Sequence, residues 1–213
     1  MKLTVFGATG GIGQEIVRQA LAAGHQVTAV VRDPARLSVQ GERLEVFRAD
    51  LSDAEGLRAA VAGRDAVLSG LGARGMKDAR DGVAARLTRP VLRAMEAEGV
   101  RRLLVVSAAP LAGAAAEREP AVDRVMFRVI SRVLKPVYDD LRVMEDELAS
   151  SATDWTSVRP PKLVDKPVTG TYRTRTGGNP RSARTIGRAD VAHAMLALID
   201  DPGTVKQAVG VAY

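Results

Sequence analysis

Short apolar runs recur along the chain at residues 3–6, 26–31, 44–47, 66–69, 103–107 and 155–158. Between most of them the apolar positions switch to a helical period, over residues 12–23, 54–62, 83–98 and 124–150. Alternating strands and helices predict right-handed crossovers and a parallel sheet covered on both faces. The strands are almost continuously apolar, as expected when neither face meets water. Gly24, Asp33-Pro34, Gly63 and Gly99 fall where turns are needed. Beyond Val158 the rhythm changes. Pro160-Pro161 blocks a helix, and residues 162–187 read as a β-ribbon or extended loop, with alternation around 169–176. A last helix over 188–200 and a last strand over 205–211 follow. The expectation is one doubly wound α/β domain spanning residues 1–213. Its irregular C-terminal segment lies on the substrate side, beyond the carboxyl ends of the strands.

The first strand leads directly into Gly7-Ala8-Thr9-Gly10-Gly11-Ile12-Gly13 and then into the first helix. A glycine-rich turn there presents free backbone N–H groups and a positive helix end to a pyrophosphate. Gly7 suits a tight turn, Gly10 a close approach of phosphate, and Gly13 close packing of helix on strand. The spacing is GxxGxxG, so the strand–turn–helix context carries the argument for a Rossmann-like dinucleotide site. Gly7, Thr9, Gly10, Gly11 and Ile12 would line it. Where an acidic residue would bind the ribose of NAD, this chain has Arg32, with Arg36 nearby, which favours NADP(H). Asp33 before Pro34 reads as a helix N-cap. Asp50, followed by Leu51, faces either the adenine or its own turn. Leu71, Gly72 and Arg74 would pass near the cofactor, Ser107 would lie beside the nicotinamide, and Pro160, Pro161, Lys162 and Leu163 would close over it.

Composition narrows the chemistry. Cysteine is absent among the 213 residues, which excludes disulfides, thiolate metal sites and cysteine nucleophiles. The two histidines, His25 and His193, are too few for a metal cluster, so no metal is expected. His25 reads as a helix-end residue and His193 as a helix residue. The net charge is +6, but aromatics make up only 3% and the basic residues are scattered, so nucleic acid is not expected as a partner. No signal-like start and no apolar run of about 20 residues occur. A cytoplasmic location without membrane association is therefore expected.

The glycine turn, Arg32-Asp33-Pro34, Leu71-Gly72, Ser107 and the segment from Asp154-Trp155-Thr156 to Pro161 resemble atypical short-chain dehydrogenases/reductases with an NmrA-like, NAD(P)H-binding domain. Arg159-Pro160-Pro161-Lys162-Leu163, Pro167-Val168-Thr169-Gly170-Thr171-Tyr172 and Ile186-Gly187-Arg188-Ala189-Asp190-Val191 are similar to flavin reductase/biliverdin-IXβ reductase proteins. The resemblance spans the chain and implies an NADPH-dependent oxidoreductase passing hydride to a flavin, quinone or linear tetrapyrrole. Two departures stand out. Lys162 and Leu141 occupy positions where mammalian members carry histidine, and residues 111–135 form a longer, more basic and apolar segment. Ser107, Lys162 and Tyr138 are the candidate catalytic residues. Tyr138 and Arg142 are one helical turn apart, the spacing of a Tyr–Lys dyad with arginine in place of lysine. Two other functions stay open: a non-catalytic NADP(H) sensor, and a reductase of a carbonyl or sugar-like metabolite acting through Tyr138. The expected partner is a small-molecule acceptor, and the expected state a monomer or small homo-oligomer.

Overall fold

The computed structural model describes residues 1–73, 75–109 and 132–213. Its strands are β1 (Lys2–Phe6), β2 (Gln26–Val31), β3 (Leu44–Arg48), β4 (Ala66–Ser69), β5 (Arg102–Val106), β6 (Asp154–Arg159), β7 (Lys162–Val164), β8 (Arg173–Thr176), β9 (Thr185–Gly187) and β10 (Gln207–Ala212). Its α-helices are α1 (Gly11–Ala22), α2 (Ala54–Val61), α3 (Met76–Arg80), α4 (Val83–Ala97), α5 (Lys135–Ser150) and α6 (Arg188–Ala197). The main sheet has eight strands in the order β3-β2-β1-β4-β5-β6-β10-β8. Every pairing in it is parallel except that of β8 with β10. This is the doubly wound order, with its switch point between β1 and β4.

The alternation of side chains along each strand builds two cores. On one face, Leu3, Val5 and Leu68 meet Ile16, Val17 and Ala20 of α1 and Val191 and Met195 of α6. On the other, Phe6, Val67, Leu103 and Val105 meet Leu57 of α2, Val91 and Met95 of α4, and Met144 and Leu148 of α5. Truncating one such leucine or methionine to alanine costs about 2–5 kcal/mol. Helix ends fall where left-handed glycines allow them. Gly24 (φ 81°) closes α1 with bonds from its N–H to Leu21 O and from His25 N–H to Ala20 O. His25 thus caps through its backbone, while its ring meets the Met1 amino group at 3.3 Å.

Beneath the sheet, at the amino ends of the strands, Arg102 joins four segments. Its guanidinium donates to the carbonyls of Leu198, Ile199 and Asp154 and to the hydroxyls of Thr156 and Thr204. The Leu198 and Ile199 carbonyls lie at the end of α6, where a cation offsets the negative end of the helix dipole.

Several expected boundaries change. The fifth strand stops at Val106, leaving Ser107 just beyond it, and the last helix stops at Ala197. Gln207, not Val205, opens the last strand, because Val205 N–H is used in the turn to Pro202 O. Residues 162–187 do not form one ribbon. β7 and β9 make a separate parallel pair, and β8 alone joins the main sheet, at its edge. Helix α3 has no counterpart among the elements that the sequence pattern predicts. The expected helix over 124–150 is seen as α5 from Lys135 onward; its start, most of the 111–135 segment and Arg74 lie outside the described residues. No helix among the described residues is long and apolar enough to cross a membrane.

Candidate dinucleotide-binding site

At the switch point the glycine turn is locked by contacts that only glycine permits. Gly7 has φ 71°, and a Cβ there would lie 2.7 Å from the Gly70 carbonyl carbon. A Cβ on Gly13 would fall 2.0 Å from Gly7 O, so strand and helix meet backbone to backbone. Gly10 differs: its φ is −86°, and the nearest atom to a Cβ there is Gly7 O at 3.2 Å. It is the N-cap of α1 and carries no capping side chain, and the first turn of α1 holds no acidic residue. The leading N–H groups of α1 therefore lack the side-chain acceptor that a helix start usually has. Ile12 turns inward to the α1/α6 core, and Thr9 offers its carbonyl to Gln14 Nε2.

The carboxyl ends of β2 and β3 form the next part of the site. Arg32 and Arg36 are exposed. Asp33 accepts from Ala35 N–H at 3.1 Å and caps the 3-10 turn Pro34–Arg36, as its sequence implied. Asp50 spends one carboxylate oxygen on its own turn, accepting from Ser52 N–H at 2.9 Å and Ser52 Oγ at 2.8 Å. Of its two readings, the Asx turn is the one formed. Those two bonds hold the Asp50 carboxyl below its usual range, and the charges of Arg32 and Arg86 act in the same direction. Arg86, from α4, is thus a second arginine near the end of β3 that sequence spacing did not reveal. Leu51 and Leu71 are buried in the core on the α4 side, and Gly72 is exposed.

At the ends of β5 and β6, Ser107 N–H donates to Val158 O at 2.8 Å and Ala109 N–H to Pro160 O at 2.9 Å. These bonds carry the parallel pairing past the strands, and Pro160 is buried while Pro161 is half-buried. Ser107 is 6% exposed, and its Oγ is buried without a hydrogen bond. Close by, Glu145 of α5 accepts from Ser157 Oγ at 2.6 Å and from Arg159 Nε at 2.9 Å, with a second bond from the same guanidinium. Burial opposes charge on Glu145, yet Arg159 and Ser157 outweigh it and hold the carboxyl below its usual range. Ser107 adds to that effect although its hydroxyl falls outside hydrogen-bond geometry. This cluster was invisible in the sequence, where its members are ordinary charges on a helix and a strand end.

Lys162 opens β7 and is exposed, with Leu163 packing on the α1/α6 core behind it. Tyr138 is buried, and that burial raises its pKa. Arg142 turns outward to Asp139 at 3.1 Å, and Lys135 binds the same carboxylate at 2.5 Å. The dyad that the Tyr138–Arg142 spacing allows is not formed; Arg142 belongs instead to a surface triad centred on Asp139. His193 accepts or donates at 2.7 Å to Tyr172 OH, fixing the segment before β8. Nothing in the spacing along the chain brings Arg188 to the glycine turn, yet it lies there. Its side chain lies over Gly11, where a Cβ would fall 2.7 Å from Arg188 Cδ, and it pairs with Asp165 at 2.6 Å.

These residues fit a dinucleotide: an uncapped helix start behind a glycine cradle, arginines at the ribose end, and an unpartnered hydroxyl further along. The model of a family described as NAD(P)H-binding matches residues 7–202. The chain belongs to this family. It is 27% identical to the uncharacterized sugar epimerase YhfK of Bacillus subtilis, over 98% of this chain and 92% of that one. It is 37% identical to cinnamoyl-CoA reductase 1 of Oryza sativa subsp. japonica over 48% of this chain, and spans only a third of that protein's length. A short-chain dehydrogenase/reductase of Veillonella parvula solved in complex with NADP superposes with a TM-score of 0.80 at 21% identity, covering 100% of this chain and 94% of the other. A candidate NADH-flavin reductase of Streptococcus pneumoniae gives 0.77 at 22% identity, covering 100% and 99%. These two structures share the Rossmann-like fold of this NAD(P)H-binding chain.

Proposed function

We propose that this protein is an NADPH-dependent reductase whose acceptor is a planar conjugated small molecule, a flavin, quinone or linear tetrapyrrole. The observation that carries the reading is the state of Tyr138. A tyrosine acting as proton donor to a carbonyl substrate needs a nearby cation to lower its pKa from about 10. Here burial raises it, and Arg142 is committed to Asp139. A conjugated acceptor has no such need, since the charge left by hydride addition spreads over the ring system and solvent can protonate it.

Bound NADPH would supply the hydride, and water the proton that completes reduction. The chain's own contribution is orientation. The start of α1 and the glycine turn would hold the pyrophosphate, and Arg32 with Arg36 or Arg86 the 2′-phosphate. Asp33 directs one carboxylate oxygen to its cap on Ala35 N–H. Ser107 would face the nicotinamide end, and the exposed Lys162 would steady negative charge developing on the acceptor. The candidate flavin reductase among the structural neighbours supports the acceptor class. The epimerase name of YhfK supports a sugar-like substrate instead.

Steady-state NADPH oxidation with flavins, quinones, biliverdins and simple aldehydes separates the readings. We expect turnover with a planar acceptor, several-fold slower in Lys162→Met and little changed in Tyr138→Phe. Turnover only with aldehydes or sugars, abolished in Tyr138→Phe, would refute the proposal. Binding of NADPH without oxidation by any acceptor would favour a sensor.

A further inference from the structure

The register of β5 on β6 pairs Val106 with Val158, so Ser107 stands beside Arg159 on the neighbouring strand. Side chains alternate along strands, so Ser107, Ser157 and Arg159 share the face that α5 covers. Glu145 reaches that face from α5. An ionised carboxylate offers about four lone-pair sites and no proton. Ser157 and the two guanidinium bonds of Arg159 fill three of them, and the pair is nearly enclosed, with side chains 14% and 15% exposed. Beside it lies the Ser107 hydroxyl, buried and without a hydrogen-bond partner among the described residues.

We infer that the Glu145–Arg159 pair sets the polarity of the Ser107 hydroxyl, drawing its proton toward the carboxylate and leaving its lone pairs for a ligand N–H. Ser107 is then a specificity residue that accepts a hydrogen bond, and Glu145 a positioning residue acting through it. The ligand group this arrangement selects is a primary amide, such as the carboxamide of a nicotinamide ring, over a ketone of the same shape. This rests on the dinucleotide reading above. With a neutral partner the hydroxyl could point either way. The guanidinium, by keeping Glu145 charged, removes that choice.

Calorimetric titration with three probes tests the idea: NADP⁺, its 3-acetylpyridine analogue, in which a methyl ketone replaces the carboxamide, and 2′,5′-ADP, which lacks the ring. The wild-type protein should bind NADP⁺ about tenfold more tightly than the analogue, the value of one hydrogen bond. Ser107→Ala should bring that ratio close to one. Glu145→Gln, whose amide can donate to Ser107 and reverse the hydroxyl, should do the same while 2′,5′-ADP binding stays within about twofold. If Arg159 left unpaired unfolds that variant, Glu145→Gln combined with Arg159→Met removes both charges and should give the same ratio. A purely structural pair would weaken both dinucleotides equally, and an unchanged ratio in Glu145→Gln or Ser107→Ala would overturn the inference. So would a wild-type protein that binds the two dinucleotides alike. A wild-type protein that binds neither NADP⁺ nor 2′,5′-ADP would overturn the dinucleotide reading itself.

Discussion

Gly13→Ala offers a demanding test of how the glycine turn works, because it separates packing from ligand recognition. An added Cβ would lie 2.0 Å from Gly7 O, 2.7 Å from Gly7 C and 2.9 Å from Ala8 Cα. Ordinary contact begins at 3.4 Å, so the start of α1 would have to retreat by roughly 1.4 Å, the difference between 3.4 and 2.0 Å. All three opposing atoms are backbone, and no side-chain rotation relieves the overlap. The helix cannot drift freely either, because Ile16 and Val17 are fully buried one turn on. Overpacking of this kind costs about 3 kcal/mol, and the better helix propensity of alanine returns somewhat less than 1 kcal/mol. A net loss of about 2 kcal/mol lowers the melting temperature of a chain this size by about 4–8 °C. Gly10→Ala is the control. Its Cβ would meet only Gly7 O at 3.2 Å, and its φ of −86° suits alanine, so melting should move by no more than about 2 °C. NADPH binding should nevertheless weaken at least tenfold, about 1.4 kcal/mol, as the methyl enters the phosphate cradle. Differential scanning calorimetry and NADPH titration read the two effects. Equal melting of Gly13→Ala and wild type, or equal destabilisation by both substitutions, would refute this account.

Two further predictions follow from charged groups. Arg32→Ala should weaken NADPH binding about ten- to a hundredfold, the value of a charge-assisted hydrogen bond, and leave NADH nearly unaffected; equal losses would make Arg32 structural. Asp190 is fully buried and accepts from Thr169 N–H and Oγ1, Gly170 N–H and Tyr213 OH, bonds that outweigh its burial and depress its pKa. Its stabilisation is therefore complete above the unfolded pKa of about 3.9 and is lost as pH falls through the lower folded value. Asp190→Asn should cost about 1.5–3 kcal/mol near neutral pH, and its gap from wild type should narrow below about pH 4 in thermal melts. A gap independent of pH would contradict the assignment.

The parts of the fold legible in the sequence were those governed by local rules. Buried parallel strands are apolar on both faces, and α1 and α4 end at Gly24 and Gly99, so the alternation of strands and helices and those helix ends could be read directly. The Asp33 cap was equally local. What escaped was set by distant partners. The alternation around 169–176 marks extended chain, but Arg173-Thr174-Arg175-Thr176 has no apolar position to say where it packs, and only its pairing with β10 places it in the main sheet as β8. Tyr138 and Arg142 have the right spacing for a dyad, but Asp139, beside the tyrosine, claims the arginine. Asp50 was undecided because a turn and a ligand compete for the same carboxylate. Glu145 and Arg159 meet only because β6 returns beneath α5.

The charged edge strand has a consequence for how copies of this protein meet. A parallel sheet must end somewhere, and a free edge offers unpaired backbone groups to any other strand. In β8 all four residues are exposed, and both arginines fold back on nearby carbonyls, Arg173 on Arg181 O and Tyr213 O and Arg175 on Asn179 O. A second sheet docking there would have to strip those guanidinium groups from their acceptors and bury two like charges against its own. Among the described residues, charge and not a covering helix guards this border. Replacing both arginines with valine would turn it into an adhesive strip, and the first sign would be concentration-dependent aggregation at unchanged NADPH binding by the protein left in solution.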